Sequence, residues 1–385
     1  MATRSGTRRG LIGIGLVGTG FMGRAHANAW RQAPCFFEVA RRPALRSVAG
    51  RRKGVVQAFA ERWQVERAVV DWKSMLRDPA VELVDVLTPN HMHAPVAVAA
   101  LQAGKHVACE KPLAGTLEDA RAMRDAARKS KGQTFVWFNY RRCPAVGLMR
   151  QLVREGRLGE IRQVRARYLQ DWGGAATPMA WRFDARLAGS GAHGDLNAHL
   201  VDLVRFTTGL EIDEVCGAVE ATFVASRRSS RGRQASTVDD AMLFLARLAN
   251  GATASFEASR VATGNQNANC VELNGTKGSV RFDFERMNEL EWWDHTLPAR
   301  VRGWSRVMCT DPSHPWVGAY WPAAHLIGYE HGFVSMAADI VRSLCGKKPV
   351  APLPDFEDAF RTQCVLEAAL RSARSGAWVR PDTLA

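Results

Sequence analysis

The sequence predicts an N-terminal α/β domain, a Rossmann-like order of strands and helices forming a doubly wound parallel sheet, followed by an α+β domain with an open antiparallel β-sheet and helices. Through the first third, short apolar runs alternate with helical patterns, as strand-helix-strand units do. Beyond residue 138 the hydrophobic period shortens to two, the mark of strands with one wet face. The chain has 385 residues, 46% hydrophobic and 23% charged, enough for two domains with substantial cores.

Leu11 to Val17 reads as a buried strand and Gly23 to Gln32 as the helix after it. Leu45 to Ala49 is a second strand, Val55 to Trp63 a helix, and Val69-Val70 a short strand before a helix that Asp71 caps. Val81 to Thr88 is the next strand, and Pro95 to Gln102 a helix with Pro in its first turn and Gly104 at its end. His106 to Cys109 is a strand, Thr116 and Asp119 resemble a capping box for a helix to Lys129, and Thr134 to Phe138 ends the domain. The expected division is a disordered tail over 1–9, a dinucleotide-binding domain over 10–138 and a second domain over 139–385.

In that second domain Val164, Ala166 and Tyr168 alternate with Arg165 and Arg167. Ala241 to Leu248 and Ala252 to Ala258 flank Asn250-Gly251, a hairpin signal because Asn-Gly accepts positive φ. Val271 to Leu273 and Ser279 to Phe284 form another hairpin. Ser226 to Thr237, polar and basic without periodicity, reads as a mobile loop.

The net charge is +14. Its densest runs, Arg41-Arg42, Arg51-Arg52-Lys53 and Arg227 to Arg233, are short and far apart, so solvated surface is expected rather than a nucleic-acid face. Eight cysteines without a CxxC pair read as reduced thiols, and no metal site is expected. No run approaches the roughly eighteen apolar residues of a membrane span. Arg8-Arg9, the following apolar run and Ala25-His26-Ala27 mimic an export signal, and twin-arginine export is the alternative. Gly13, Gly15, Gly18 and Gly20 break that run, so a cytoplasmic protein is expected.

Gly18-Thr19-Gly20-Phe21-Met22-Gly23 is a GxGxxG between a predicted strand and helix. The first glycine permits the turn, the second lets backbone approach a pyrophosphate, and the third allows close helix packing. At the end of the second strand Arg51, Arg52 and Lys53 stand where an acid would hold the ribose of NAD. They suit the 2′-phosphate of NADP, so NADP is favoured over NAD, the other reading being a basic surface turn. Thr88, Asn90 and His93 follow one strand and Glu110 and Lys111 another, all at the carboxyl edge where such sheets bind ligands. Pro89-Asn90 is also ordinary turn chemistry, and Lys111 is either a solvated charge or a stabiliser of developing alkoxide. At about 3.6 residues per turn, Asp195, His199 and Asp202 share a helix face. There a carboxylate orients an imidazole suited to general-base work, unless the cluster is a capped helix with a surface histidine.

Gly18 to Gly23, Thr88-Pro89-Asn90, Glu110-Lys111-Pro112 and Asp195 with His199, in this order and spacing, resemble the GFO/IDH/MocA oxidoreductases across nearly the whole chain. The resemblance implies a Rossmann domain, a C-terminal open sheet and an active site in the cleft between them. It implies that Lys111 assists, His199 is the general base and Asp195 supports it; the family's usual glycine two positions before the histidine is Asn197 here. Phe138 to Arg142, Tyr168 to Trp172, Trp181-Arg182-Phe183 and Ala188 to Gly191 are similar to sugar dehydrogenases of that family, which implies oxidation of a pyranose hydroxyl at C3. Tyr140, Arg141, Trp172, Trp181 and Arg182, with Asp195 and His199, would then contact a sugar, anhydrosugar or cyclic polyol, although tryptophans suit a sheet core equally. A homo-oligomer, dimer or tetramer, is expected from the exposed sheet face. Two other functions stay open: a nicotinamide-dependent glycosidase acting by transient C3 oxidation, and a non-enzymatic cofactor-sensing regulator, against which the presence of both Lys111 and His199 argues.

Overall fold

The computed structural model describes residues 10–385; the tail expected over residues 1–9 lies outside them. The chain divides into two compact units.

The first unit holds residues 10–114, 118–142 and 328–358. Its strands are β1 (Leu11–Val17), β2 (Arg42–Ala49), β3 (Arg67–Val69), β4 (Leu83–Val86), β5 (His106–Cys109) and β6 (Thr134–Val136). They form one sheet in the order β3-β2-β1-β4-β5-β6, parallel throughout. The crossover helices are α1 (Phe21–Phe36), α2 (Lys53–Trp63), α3 (Trp72–Leu76), α4 (His93–Gln102) and α5 (Leu117–Lys129). β1 is buried along almost its whole length, as an apolar run covered on both faces must be. Asp71 caps α3 as expected, accepting from Lys73 N at 2.9 Å. No sequence pattern announced that helix Tyr329–Leu344 belongs to this unit, where Tyr329 and His331 meet Phe21 and Phe36 of α1.

The second unit holds residues 115–117, 143–327 and 359–385. Its strands are β7 (Ile161–Leu169), β8 (Ile212–Ala221), β9 (Ser226–Ser229), β10 (Gly232–Ala235), β11 (Ala241–Leu248), β12 (Thr253–Ser259), β13 (Ala268–Gly275), β14 (Gly278–Asp283), β15 (Glu289–Asp294) and β16 (Trp304–Met308). Eight of them form a sheet in the order β16-β15-β14-β13-β7-β12-β11-β8. Helices Pro144–Arg154 and Ala198–Thr208 pack on one face, and Val164, Ala166 and Tyr168 of β7 are buried as their alternation predicts.

One expectation is sharpened and two need correction. The sheet is mixed, because β12 runs parallel to β7 while its other pairs are antiparallel. Residues 226–237 contain the β9–β10 hairpin instead of a mobile loop. Arg227 anchors it: its guanidinium is buried 3.6 Å over the Phe183 ring and donates to Asp240 at 3.0 Å. The segment before His199 is a π-helical turn, His193–Asn197, and the α-helix starts only at Ala198. Asp195 and His199 therefore do not follow the α-helical spacing assumed for them.

Candidate active site

The dinucleotide motif forms the turn from β1 into α1. Gly18 has φ +133°, and a Cβ there would lie 2.4 Å from the Leu87 carbonyl oxygen. At Gly23 a Cβ would meet the Gly18 oxygen at 2.6 Å, so the third glycine lets helix and turn close together. Gly20 faces open space and caps α1 without a side chain, and the first turn carries no acid. The helix thus presents unclaimed N–H groups and its positive dipole end. Along the same edge, the Thr88 hydroxyl is buried without a hydrogen-bond partner. This cradle and orphan hydroxyl fit a nicotinamide dinucleotide. Phe21 is 55% exposed and stacks at 6.2 Å on Tyr329; Met22 is half-buried.

At the end of β2, Arg51, Arg52 and Lys53 are all exposed, with no acid among them. Asp71, at the neighbouring strand end, commits its carboxylate to capping α3.

The two edge motifs are tied together by His93. Its buried ring stands between the Thr88 carbonyl, 3.0 Å from Nε2, and the Pro112 and Leu113 carbonyls, 3.1 and 3.3 Å from Nδ1. Burial pushes its pKa down. Asn90 is buried in the short 3₁₀ turn Asn90–Met92. Glu110 points inward, its Oε1 2.9 Å from His26 Nε2, while Lys111 is half-buried. Tyr140 and Arg141 are buried in the same unit, where Arg141 donates to Asp358 at 2.6 Å.

In the second unit His199 is buried, 6.0 Å between ring centroids from Tyr168 of β7. A hydrogen-bonded chain leads away from Tyr168: its hydroxyl donates to Asn267 Oδ1 at 2.7 Å, Gln170 donates to the same oxygen at 2.9 Å, and Trp172 Nε1 donates to Gln170 at 2.6 Å. Asp195 accepts from Arg260 at 2.9 Å, and Arg260 also donates to the Arg182 carbonyl at 3.2 Å. Trp172 is 38% exposed, with Arg260 5.3 Å from its ring, and the Arg182 guanidinium lies 4.5 Å over Trp181. Asn197, where a glycine is usual, is fully buried and donates to His193 Nδ1 at 3.1 Å and to the Met242 carbonyl at 3.3 Å. Asp239 fixes the turn before it, accepting from Gly191 N at 2.5 Å and His193 N at 2.7 Å.

Arg260, Asn267 and Asp239 carry no local sequence signal; each is recruited from a distant part of the chain. Among the described residues no cluster of histidine, cysteine or carboxylate side chains could hold a metal, and no helix is long and apolar enough to cross a membrane.

Residues 12–138 match the oxidoreductase family with NAD-binding Rossmann fold, and residues 146–281 match the GFO/IDH/MocA C-terminal domain. Levoglucosan dehydrogenase of Pseudarthrobacter phenanthrenivorans is 38% identical over 387 aligned positions, covering 96% of this chain and 97% of that protein. A solved structure of levoglucosan dehydrogenase in complex with NADH and levoglucosan has a TM-score of 0.92 at 38% identity, covering 96% of this chain and 99% of that one. An oxidoreductase domain protein from Kribbella flavida has a TM-score of 0.93 at 46% identity, with 96% and 99% covered. With its glycine turn, edge motifs and helix-packed second sheet, the chain belongs to the GFO/IDH/MocA family of oxidoreductases and carries that family's NAD-binding Rossmann fold.

Proposed function

We propose that the protein oxidises a ring hydroxyl carbon of a sugar, anhydrosugar or cyclic polyol, at C3 where the ring is a pyranose, with NADP favoured over NAD. The observation that carries this reading is the polar and aromatic wall beside His199. Tyr168, Asn267, Gln170 and Trp172 form one hydrogen-bonded chain that ends on a partly exposed indole. Directed donors and acceptors beside an aromatic face suit a polyol, which presents hydroxyls at its rim and C–H groups on its faces. The relative whose complex holds NADH and levoglucosan supports the same substrate class.

The nicotinamide, when bound, supplies the hydride acceptor. Gly18, Gly20, Phe21, Met22 and Gly23 would hold the pyrophosphate on the first turn of α1, with Thr88 and Asn90 forming the rest of the edge; His93 and Glu110 brace that edge from beneath, His93 against the Thr88, Pro112 and Leu113 carbonyls and Glu110 against His26. His199 takes the hydroxyl proton as the carbinol carbon is oxidised. Lys111 donates a hydrogen bond to that oxygen and stabilises its developing negative charge. Asp195, held by Arg260, supports His199, while Tyr140, Arg141, Trp172, Trp181 and Arg182 select the ring. The eight cysteines are all free, in keeping with a reducing, cytoplasmic setting.

Sugars, anhydrosugars and inositols assayed spectrophotometrically with each cofactor test the reading. Reduction of cofactor with a cyclic substrate is expected, with kcat/KM about tenfold higher for NADP, since one Arg-to-phosphate contact separates the two. Arg51→Ala or Arg52→Ala should shrink that ratio. Free sugar released from a glycoside with no net cofactor reduction would indicate the glycosidase reaction instead. A wild-type preference for NAD would leave Arg51 and Arg52 a solvated turn.

A further inference from the structure

Beneath the carboxyl edge of the first sheet lies a charged cluster that the proposed chemistry does not use. His26 sits on α1 just past Gly23, with its side chain fully buried. Its Nδ1 is 3.0 Å from Asp85 Oδ2 on β4, and its Nε2 is 2.9 Å from Glu110 Oε1 at the end of β5. Each ring nitrogen faces a carboxylate. An ionised carboxylate only accepts, so both nitrogens donate and the ring is an imidazolium. Asp85 is steadied further by Trp30 Nε1, which donates to it at 2.7 Å, and by Trp137 Nε1 at 2.9 Å.

The rest of the surroundings is apolar or neutral. The Trp137 ring lies 4.0 Å from the His26 ring, and Phe333 of helix Tyr329–Leu344 lies 5.4 Å away. Burial, with the nearby Glu110 and Asp85 charges, keeps the Cys109 thiol neutral. His93, which feels the Glu110 charge, is held below its ordinary pKa by burial. Burial pulls the His26 pKa down as well, yet Asp85 and Glu110 together raise it to about 9. Replacing buried ionic groups by well-packed apolar ones is often neutral or stabilising, so fold stability alone does not account for this cluster.

What the cluster touches is the backbone that carries Lys111. Glu110 extends the β5 ladder, its N–H donating to the Val86 carbonyl at 2.9 Å, and Lys111 is the next residue. Lys111 stands in the bend directly after Glu110, so anchoring Glu110 inward on His26 fixes the backbone from which the Lys111 side chain departs. We propose that His26 is a positioning residue: clamped between Asp85 and Glu110, it fixes the end of β5 and with it the direction of the Lys111 ammonium. This rests on the reading of Lys111 as the group that meets the substrate oxygen. Without the imidazolium, Glu110 loses its buried partner and Lys111 its fixed direction, while the glycine cradle is untouched.

The test compares His26→Gln, Glu110→Gln and Lys111→Ala in the full-length protein. In His26→Gln, kcat is expected to fall about tenfold to hundredfold, the effect of misplacing a catalytic group by about an ångström. Its KM for NADP and its NADPH affinity, read by fluorescence titration, should stay within about twofold of wild type. Glu110→Gln keeps an acceptor for His26 but loses its charge, so a smaller fall in kcat with the same unchanged affinity is expected. Independently of turnover, ¹⁵N-histidine NMR of the wild type at neutral pH should show one histidine with both ring nitrogens protonated. A neutral His26 ring overturns the clamp. Near-normal turnover in Lys111→Ala overturns the reading of Lys111. An inactive Lys111→Ala beside fully active His26→Gln or Glu110→Gln overturns the positioning role. Parallel losses of kcat, cofactor affinity and thermal stability in His26→Gln and Glu110→Gln make His26 structural only.

Discussion

A histidine that accepts a hydroxyl proton works only while its ring is neutral, so the base role proposed for His199 predicts turnover that falls in acid. His199→Ala is expected to lower kcat by about a hundredfold to ten-thousandfold and to erase the acidic limb of the kcat/KM profile. An unchanged limb in that variant would move the base to another group. The neighbouring carboxylate shows how far a residue's setting departs from its sequence context. Asp195 is paired with Arg260, which lies 65 residues further along the chain at the end of β12. The glycine turn and the two edge motifs were legible because they serve local backbone needs, such as the positive φ of Gly18. Arg260 answers to no local rule, and neither does His26, whose partners lie 59 and 84 residues away.

Three elements, α1, β4 and β5, meet at the His26 ring, so its proton is linked to their packing. The ring's pKa rises from 6.5 unfolded to about 9 folded, against burial and through Asp85 and Glu110. The folded state therefore holds the proton more tightly. Its contribution is complete below about pH 6.5 and is lost as pH rises through about 9; the shift corresponds to on the order of 3 kcal/mol. Melting temperatures should decline across that window in the wild type and much less in His26→Gln. A wild-type curve that stays flat there would contradict the linkage. Element boundaries show the same mixture of local and distant causes. β1 and β5 coincide with their apolar runs. The π turn over His193–Asn197 follows from Asp239 gripping two backbone N–H groups and from Asn197 bonding across to Met242.

Over the molecule as a whole, one face of the second sheet remains without helices at its β8–β11 end. Leu243 and Leu245 are 42% and 52% exposed, and Val219 on the adjoining strand is 59% exposed. An apolar patch of this kind suits a contact surface, and the expected homo-oligomer would cover it with a self-complementary interface. Sedimentation should find a dimer or tetramer, and Leu245→Arg should shift it toward monomer at unchanged far-ultraviolet dichroism. A monomeric wild type at micromolar concentration would leave that face to another role.

By itself the sequence determined what repeats or what one turn of backbone demands: the six parallel strands, the alternation of β7, the hairpins, and the glycine, Thr88-Pro89-Asn90 and Glu110-Lys111-Pro112 edges. Each has a period or a φ requirement written within a few residues. Only the tertiary structure decided the parallel β12–β7 pair, the order of residues 226–237, the return of helix Tyr329–Leu344 to the first unit, and the ion pairs of Asp195 and His26. These depend on which distant groups become neighbours once water is excluded. A buried charge takes the nearest partner the fold offers, whatever its separation along the chain.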